Sequence, residues 1–124
     1  MKLHLADTSG LNLIRAYEPG RLLVNEAIYT RSVAVTAVRV VPDWRPTTFG
    51  ELSAADFEAL VALEPELVLL GTGSRLRFPD PRLAVSLIRA GIGLEVMDTG
   101  AACRTFNILV AESRAVLAAL LMAD

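Results

Sequence analysis

The chain has 124 residues, 53% hydrophobic and 21% charged, with a formal net charge of −2. That length fits one domain with its own core and no need of disulfide or metal staples, and the composition excludes a disordered chain. The charge balance gives no electrostatic basis for nucleic-acid binding.

Cys103 is the only cysteine, which excludes an intramolecular disulfide and a multi-cysteine metal site. His4 is the only histidine and alone builds neither a zinc site nor a Ser–His–Asp triad. No metal and no cofactor is expected. The first seven residues, Met-Lys-Leu-His-Leu-Ala-Asp, lack the apolar centre of a signal peptide. The longest apolar run, 115–123, is too short to span a bilayer. A cytoplasmic protein without a transmembrane segment is the expectation. Lys2 is the sole lysine among twelve basic residues, and Ala, Leu and Val are heavily used, a bias that reads as a GC-rich bacterial genome.

A leader of mixed character ends in a turn at 7–10. Residues 11–17 alternate loosely and predict a strand. Glu18-Pro19-Gly20 is a tight turn, with proline where a fixed φ is wanted and glycine where a positive one falls. Residues 21–24 and 27–30 flank Asn25-Glu26 as a hairpin. Residues 32–41, rich in Val and Thr, predict the best strand of this half, which should consist of antiparallel hairpins. A Pro-rich loop, 42–50, follows. Leu52 staples the next helix, Ser53 caps it, and Asp56 supplies a capping-box acid. The helix runs from 54 to about 63, with Ala54, Phe57, Leu60 and Val61 on one face, and Pro65 stops it.

Leu67 to Leu70 are four apolar residues in a row, bounded by turn signals, as in a strand covered on both faces. Asp80-Pro81 opens a second helix with Leu83, Ala84, Leu87 and Ile88 as its stripe, and Gly91 ends it. Residues 94–97 predict a short strand and 101–112 a third helix. Residues 115–122 have a helical composition, but their length and position favour a strand that completes the sheet. Hairpins followed by α, β, α, β, α, β imply a layered α/β domain over 1–124 with a mixed sheet.

In such sheets ligands bind beyond the carboxyl ends of the strands. Two of those ends carry polar residues: Gly71, Thr72, Gly73, Ser74 and Arg75 at one, and Asp98, Thr99, Gly100, Cys103, Arg104 and Asn107 at the other. If the two strands are parallel neighbours, the segments meet as a polar rim with a helix N-terminus aimed into it, suited to an anion. Each feature also has a structural reading. Gly71-Thr72-Gly73 lacks the third glycine of a dinucleotide fingerprint and the Lys-Ser/Thr of a phosphate loop, so a tight turn is the simpler account. Thr99 can cap its helix, and Asp98 can pair with Arg104 or hold the loop. Cys103 lies beside a helix start and Arg104, which would lower a thiol pKa. Lone cysteines are usually buried, however, and no base lies near in sequence. No catalytic residue is assigned. Trp44, between Asp43 and Arg45, is either an exposed partner anchor or a cap on the core. The arginines at 75, 77, 82, 89, 104 and 114 are interleaved with acids and read as a mixed solvated surface.

Residues 66–74 and 91–114 resemble a family catalogued as a domain of unknown function, which includes an adipogenesis-associated protein and a mitochondrial complex I assembly factor. The likeness is most specific at Gly71-Thr72-Gly73, Met97-Asp98-Thr99, Ala102-Cys103, Thr105-Phe106-Asn107 and Glu112-x-Arg114. Ser113 stands where the family usually has glycine. The resemblance implies a three-layer α/β fold with a mixed central sheet, no cofactor and no established enzymatic activity. It points to a non-catalytic binding or assembly module with a protein partner, by analogy a respiratory-complex subunit. The alternative is a small-molecule enzyme or anion binder using the rim at 71–75 and 98–107.

Overall fold

The computed structural model describes residues 8–124. His4 and the first residue of the turn expected at 7–10 lie outside the described residues. Three short strands form an antiparallel sheet: β1 (Ile14–Glu18), β2 (Arg21–Val24) and β3 (Ala27–Tyr29), in the order β1-β2-β3. The turns are those the sequence predicts. Pro19-Gly20 joins the facing pair Glu18 and Arg21, with Gly20 at φ 81, and Asn25 sits at φ 50 between Val24 and Ala27. Residues 11–13 are not part of β1. Asn12 and Leu13 bond instead to the Ala37 carbonyl and the Asn25 side chain.

The single strand expected over 32–41 is two strands, β4 (Val33–Thr36) and β5 (Val40–Val41), paired antiparallel. Thr36 causes the reversal. Its N–H donates to the Arg39 carbonyl at 2.8 Å, and its Oγ1 accepts the Arg39 N–H at 3.0 Å. A threonine hydroxyl bonded to nearby backbone competes with a continuing ladder. β4 also leaves the small sheet and joins the main one.

The remainder alternates as predicted: α1 (Ala54–Val61), β6 (Leu67–Gly71), α2 (Val85–Arg89), β7 (Gly93–Met97), α3 (Thr99–Ala111) and β8 (Val116–Leu120). The five-stranded sheet has the order β5-β4-β8-β6-β7. β8 runs antiparallel to β4 and parallel to β6, and β6 is parallel to β7. The segment with helical composition is therefore the central strand. All five residues of β8 are buried, and a strand there completes two ladders that a helix would leave open.

The period-2 alternation of strands divides the core between two faces. Val33, Val35, Leu69, Val116, Ala118 and Leu120 pack with Phe106 and Val110 of α3 and with Ile14, Leu22 and Val24 of the small sheet. Ala34, Val68, Leu70, Leu117 and Ala119 pack on the other face with Phe57 and Leu60 of α1 and Leu87 of α2. The result is three layers around a mixed sheet.

Two helical faces differ from expectation. Ala54 is exposed, and Asp56 takes its inward place at 3% exposure. On α2, entered through a 3-10 turn at Pro81–Ala84, Leu87 is buried but Ile88 is 69% exposed. Trp44 is 7% exposed, packs edge-on against Phe57 at 6.5 Å and donates its ring N–H to the Asp56 carbonyl at 3.2 Å. It caps the core and is not an exposed partner anchor, because its ring covers the end of α1.

Candidate functional site

The parallel pairing of β6 and β7 sets the carboxyl ends of both strands side by side, so the segments at 71–75 and 98–100 do meet. They meet as a tightly bonded seam. The Thr72 N–H donates to the Met97 carbonyl at 2.9 Å, and the Thr99 N–H to the Gly73 carbonyl at 2.9 Å. The Thr99 hydroxyl accepts the Gly73 N–H and donates to the Leu121 carbonyl, each at 2.8 Å. One fully buried side chain thus ties three elements. The Thr72 hydroxyl donates to the Arg75 carbonyl at 2.7 Å and closes the following turn. A methyl group at Gly71 would stand 2.9 Å from the Thr99 Cα, so glycine is there for close approach. Gly73 takes φ 98, a conformation side chains rarely adopt.

The anion positions of this seam are filled from within the chain. Asp98, and not Thr99, is the cap of α3, its carboxylate accepting the Ala101 N–H at 2.9 Å. Ser74 donates its N–H and its hydroxyl to the Asp124 carboxylate at 2.7 and 2.5 Å. Those two bonds, with the charges of Arg77 and Arg75, hold the Asp124 carboxyl below its ordinary value.

The second half of the sequence-predicted rim faces elsewhere. Cys103, Arg104 and Asn107 turn toward β1, and with Arg15, Tyr17 and Gly100 they line a cleft of about 250 Å³. Asn107 spends its amide on the main chain of β1, accepting the Ile14 N–H at 2.8 Å and donating to the Ile14 carbonyl at 2.7 Å. Burial pushes the Cys103 thiol up to about 12, the Arg104 charge opposing and the Asp98 charge adding. At neutral pH such a thiol stays protonated and is a poor nucleophile. Arg15 and Arg104 are exposed, and neither forms an ion pair among the described residues. Asp98 therefore caps its helix and does not bridge to Arg104. Arg75 lies exposed beyond the seam. Tyr17, Arg15 and Asp124 carried no signal in the sequence, because each reaches the site through tertiary contact alone. Among the described residues no group of three or more His, Cys, Asp or Glu side chains could hold a metal ion, and no helix is long and apolar enough to cross a membrane.

A family model described as a protein of unknown function, DUF498/DUF598, matches residues 14–121. A Xenopus tropicalis protein named NADH dehydrogenase [ubiquinone] 1 alpha subcomplex assembly factor 3 is 28% identical over 93% of this chain, which spans 63% of that relative's length. The 13 kDa major membrane protein of Francisella tularensis is 26% identical over 81% of this chain and 82% of its own. A solution structure of a Bordetella pertussis protein, described as a Mth938-like domain, superposes with a TM-score of 0.83 at 31% identity, covering 100% of this chain and 94% of the other.

Proposed function

The chain belongs to the DUF498/DUF598 family of proteins of unknown function, and on that premise we propose that it acts as a non-catalytic binding or assembly module whose partner is a protein. The partner is a subunit or assembly intermediate of respiratory complex I, and the module works from the cytoplasm. The name carried by the Xenopus relative supports the complex I part of the reading. The observation that carries the non-catalytic part is how the polar seam and the cleft against β1 use their side chains. Thr72, Thr99 and Asn107 spend their side chains on main-chain groups, Asp98 caps α3, and the Cys103 thiol is held protonated. Such groups position elements of the fold and leave no base beside a nucleophile.

The test is affinity capture of the tagged chain from its native cells, together with native gels of a deletion strain. Complex I subunits should co-purify, and assembly intermediates should accumulate without the protein. Undiminished complex I in the deletion strain, with no subunit captured across several growth conditions, would overturn the reading.

One observation favours a second reading. Among the described residues Arg15 and Arg104, beside the cleft against β1, form no ion pair, as an anion-binding site would require. A melting-temperature titration with phosphate, carboxylates and nucleotides against matched chloride separates the two. Saturable stabilisation that follows single-site linkage and is lost in Arg104→Ala favours the anion binder.

A further inference from the structure

We propose that the free edge of β7, with the apolar groove beside it, docks an extended segment of a partner protein as a sixth strand. That segment alternates apolar and basic residues, its Lys or Arg opposite Glu95 and its two apolar neighbours in the groove. The inference rests on the binding-module reading and names the surface and the chemistry that it leaves open.

β7 ends the five-stranded sheet, and among the described residues it is bonded on one side only. The Gly93 N–H donates to the Glu66 carbonyl, and the Met97 carbonyl accepts the Thr72 N–H. In a parallel ladder this register turns the main chain of Gly93, Glu95 and Met97 toward β6 and that of Leu94 and Val96 outward. Two N–H groups and two carbonyls therefore face solvent in a row, a template for strand addition.

Beside that edge lies a groove of about 480 Å³ whose walls include Phe78, Pro81, Ile88, Leu94 and Val96. Phe78 is 73% exposed and Ile88 69% exposed. Ile88 belongs to the expected stripe of α2 but faces outward, and Phe78 lies on the approach to that helix. Leu94 and Val96 lie on the groove face, packed against the α1–α2 side of the core. By alternation Glu95 lies on the other face, exposed and without an ion pair among the described residues.

Glu95 decides the occupant. A second copy using all four outward groups would pair its Leu94 with Val96 and its Val96 with Leu94. That register sets two Glu95 carboxylates directly opposite in a close, non-hydrogen-bonded pair, where like charges repel. The edge is thus guarded against its own copy and complementary to a basic residue. A strand with a cation at the central position gains the ion pair on one face while its flanking apolar residues cover Leu94, Val96 and the exposed Phe78 and Ile88 on the other.

The probe is an acetylated and amidated Thr-Val-Lys-Val-Thr peptide, with its Lys→Glu counterpart, added to the full chain. Amide exchange and chemical shifts are read residue by residue. In the free protein the Leu94 and Val96 amides should exchange quickly and those of Glu95 and Met97 slowly. The lysine peptide should protect Leu94 and Val96. The glutamate peptide should bind roughly two- to fivefold more weakly, the scale of one cross-strand charge pair, and Glu95→Lys should reverse that order. Val96→Pro removes an N–H that faces outward, a position where a strand tolerates proline, and should abolish binding. Should that variant fail to fold, Phe78→Asp on the exposed wall serves instead. No protection of Leu94 and Val96 at millimolar peptide overturns the proposal, as does a peptide preference unchanged by Glu95→Lys. Capture from cells separates this inference from the reading beneath it. A partner retained by folded Val96→Pro and Phe78→Asp overturns the edge and leaves the binding module standing. No partner with the unaltered chain counts against the module, and the peptide experiment still decides the edge.

Discussion

Asp56 sits at 3% exposure at the start of α1 and stays ionised. Burial by itself raises its pKa, but bonds from Arg45 and from the N–H and hydroxyl of Ser53 outweigh burial and leave it below 3.8. A depressed folded value means that the unfolded chain takes up the proton more readily. The carboxylate therefore stabilises the fold fully above the unfolded value and loses that contribution as pH falls through the folded one. Asp56→Asn should cost about 1–3 kcal/mol near neutral pH. The gap to the unaltered chain should narrow in acid, read by urea melts at descending pH; a constant gap would remove the charge from the argument. Cys103 makes the converse case, a thiol raised by its surroundings. It should react slowly with thiol reagents in the native state and quickly in denaturant. Fast native labelling at neutral pH would contradict the burial argument and revive a nucleophilic role.

At the scale of elements, α3 is the piece that holds the layers together. Its first turn is tied to the ends of β6 and β8 through Thr99, and its third turn to β1 through the paired bonds of Asn107 with Ile14. An amide that accepts and donates to one residue's main chain stands in for a missing strand neighbour. Asn107→Ala leaves both Ile14 groups without that partner and should cost about 1–3 kcal/mol. The loss should be local. Amides of β1–β3 should exchange faster while those of β6 and β8 keep their rates. Uniformly faster exchange would show that Asn107 supports the whole fold and not the docking of one sheet.

For the whole molecule, β8 follows the other described strands in the chain yet lies in the middle of the sheet, hydrogen-bonded to β4 and β6 and buried along its length. Its amides should open only with global unfolding, so Ala118 and Ala119 should show the slowest exchange in the chain, with the exposed edge of β7 among the fastest. The pairing of β4 with β8 joins residues 33–36 to residues 117–120, which makes the sheet a long-range structure. Protection that appears in β6 and β7 well before β4 and β8 during refolding would fit the cost of closing that loop.

Local physics was written in the chain itself. The apolar run at 67–70, the Pro19-Gly20 turn, the Ser53–Asp56 cap, Asp80-Pro81 and Gly91 each fix a backbone choice within a few residues, so the order of elements was legible. The adjacency of the 71–75 and 98–100 segments followed from one further step, two short apolar strands joined by a helix. What no short window contains is which groups of distant segments satisfy one another. The burial of Trp44 over Phe57, Asn107 turned to Ile14, and Asp124 in place of an external anion at Ser74 are contacts between segments distant in the chain. The first two were decided by the need to cover an apolar ring and to pair part-buried main-chain groups once the layers had closed. The exposed Ile88 was likewise decided by packing. A helical stripe can be read from spacing, but only the packed sheet shows which of its residues are left facing outward.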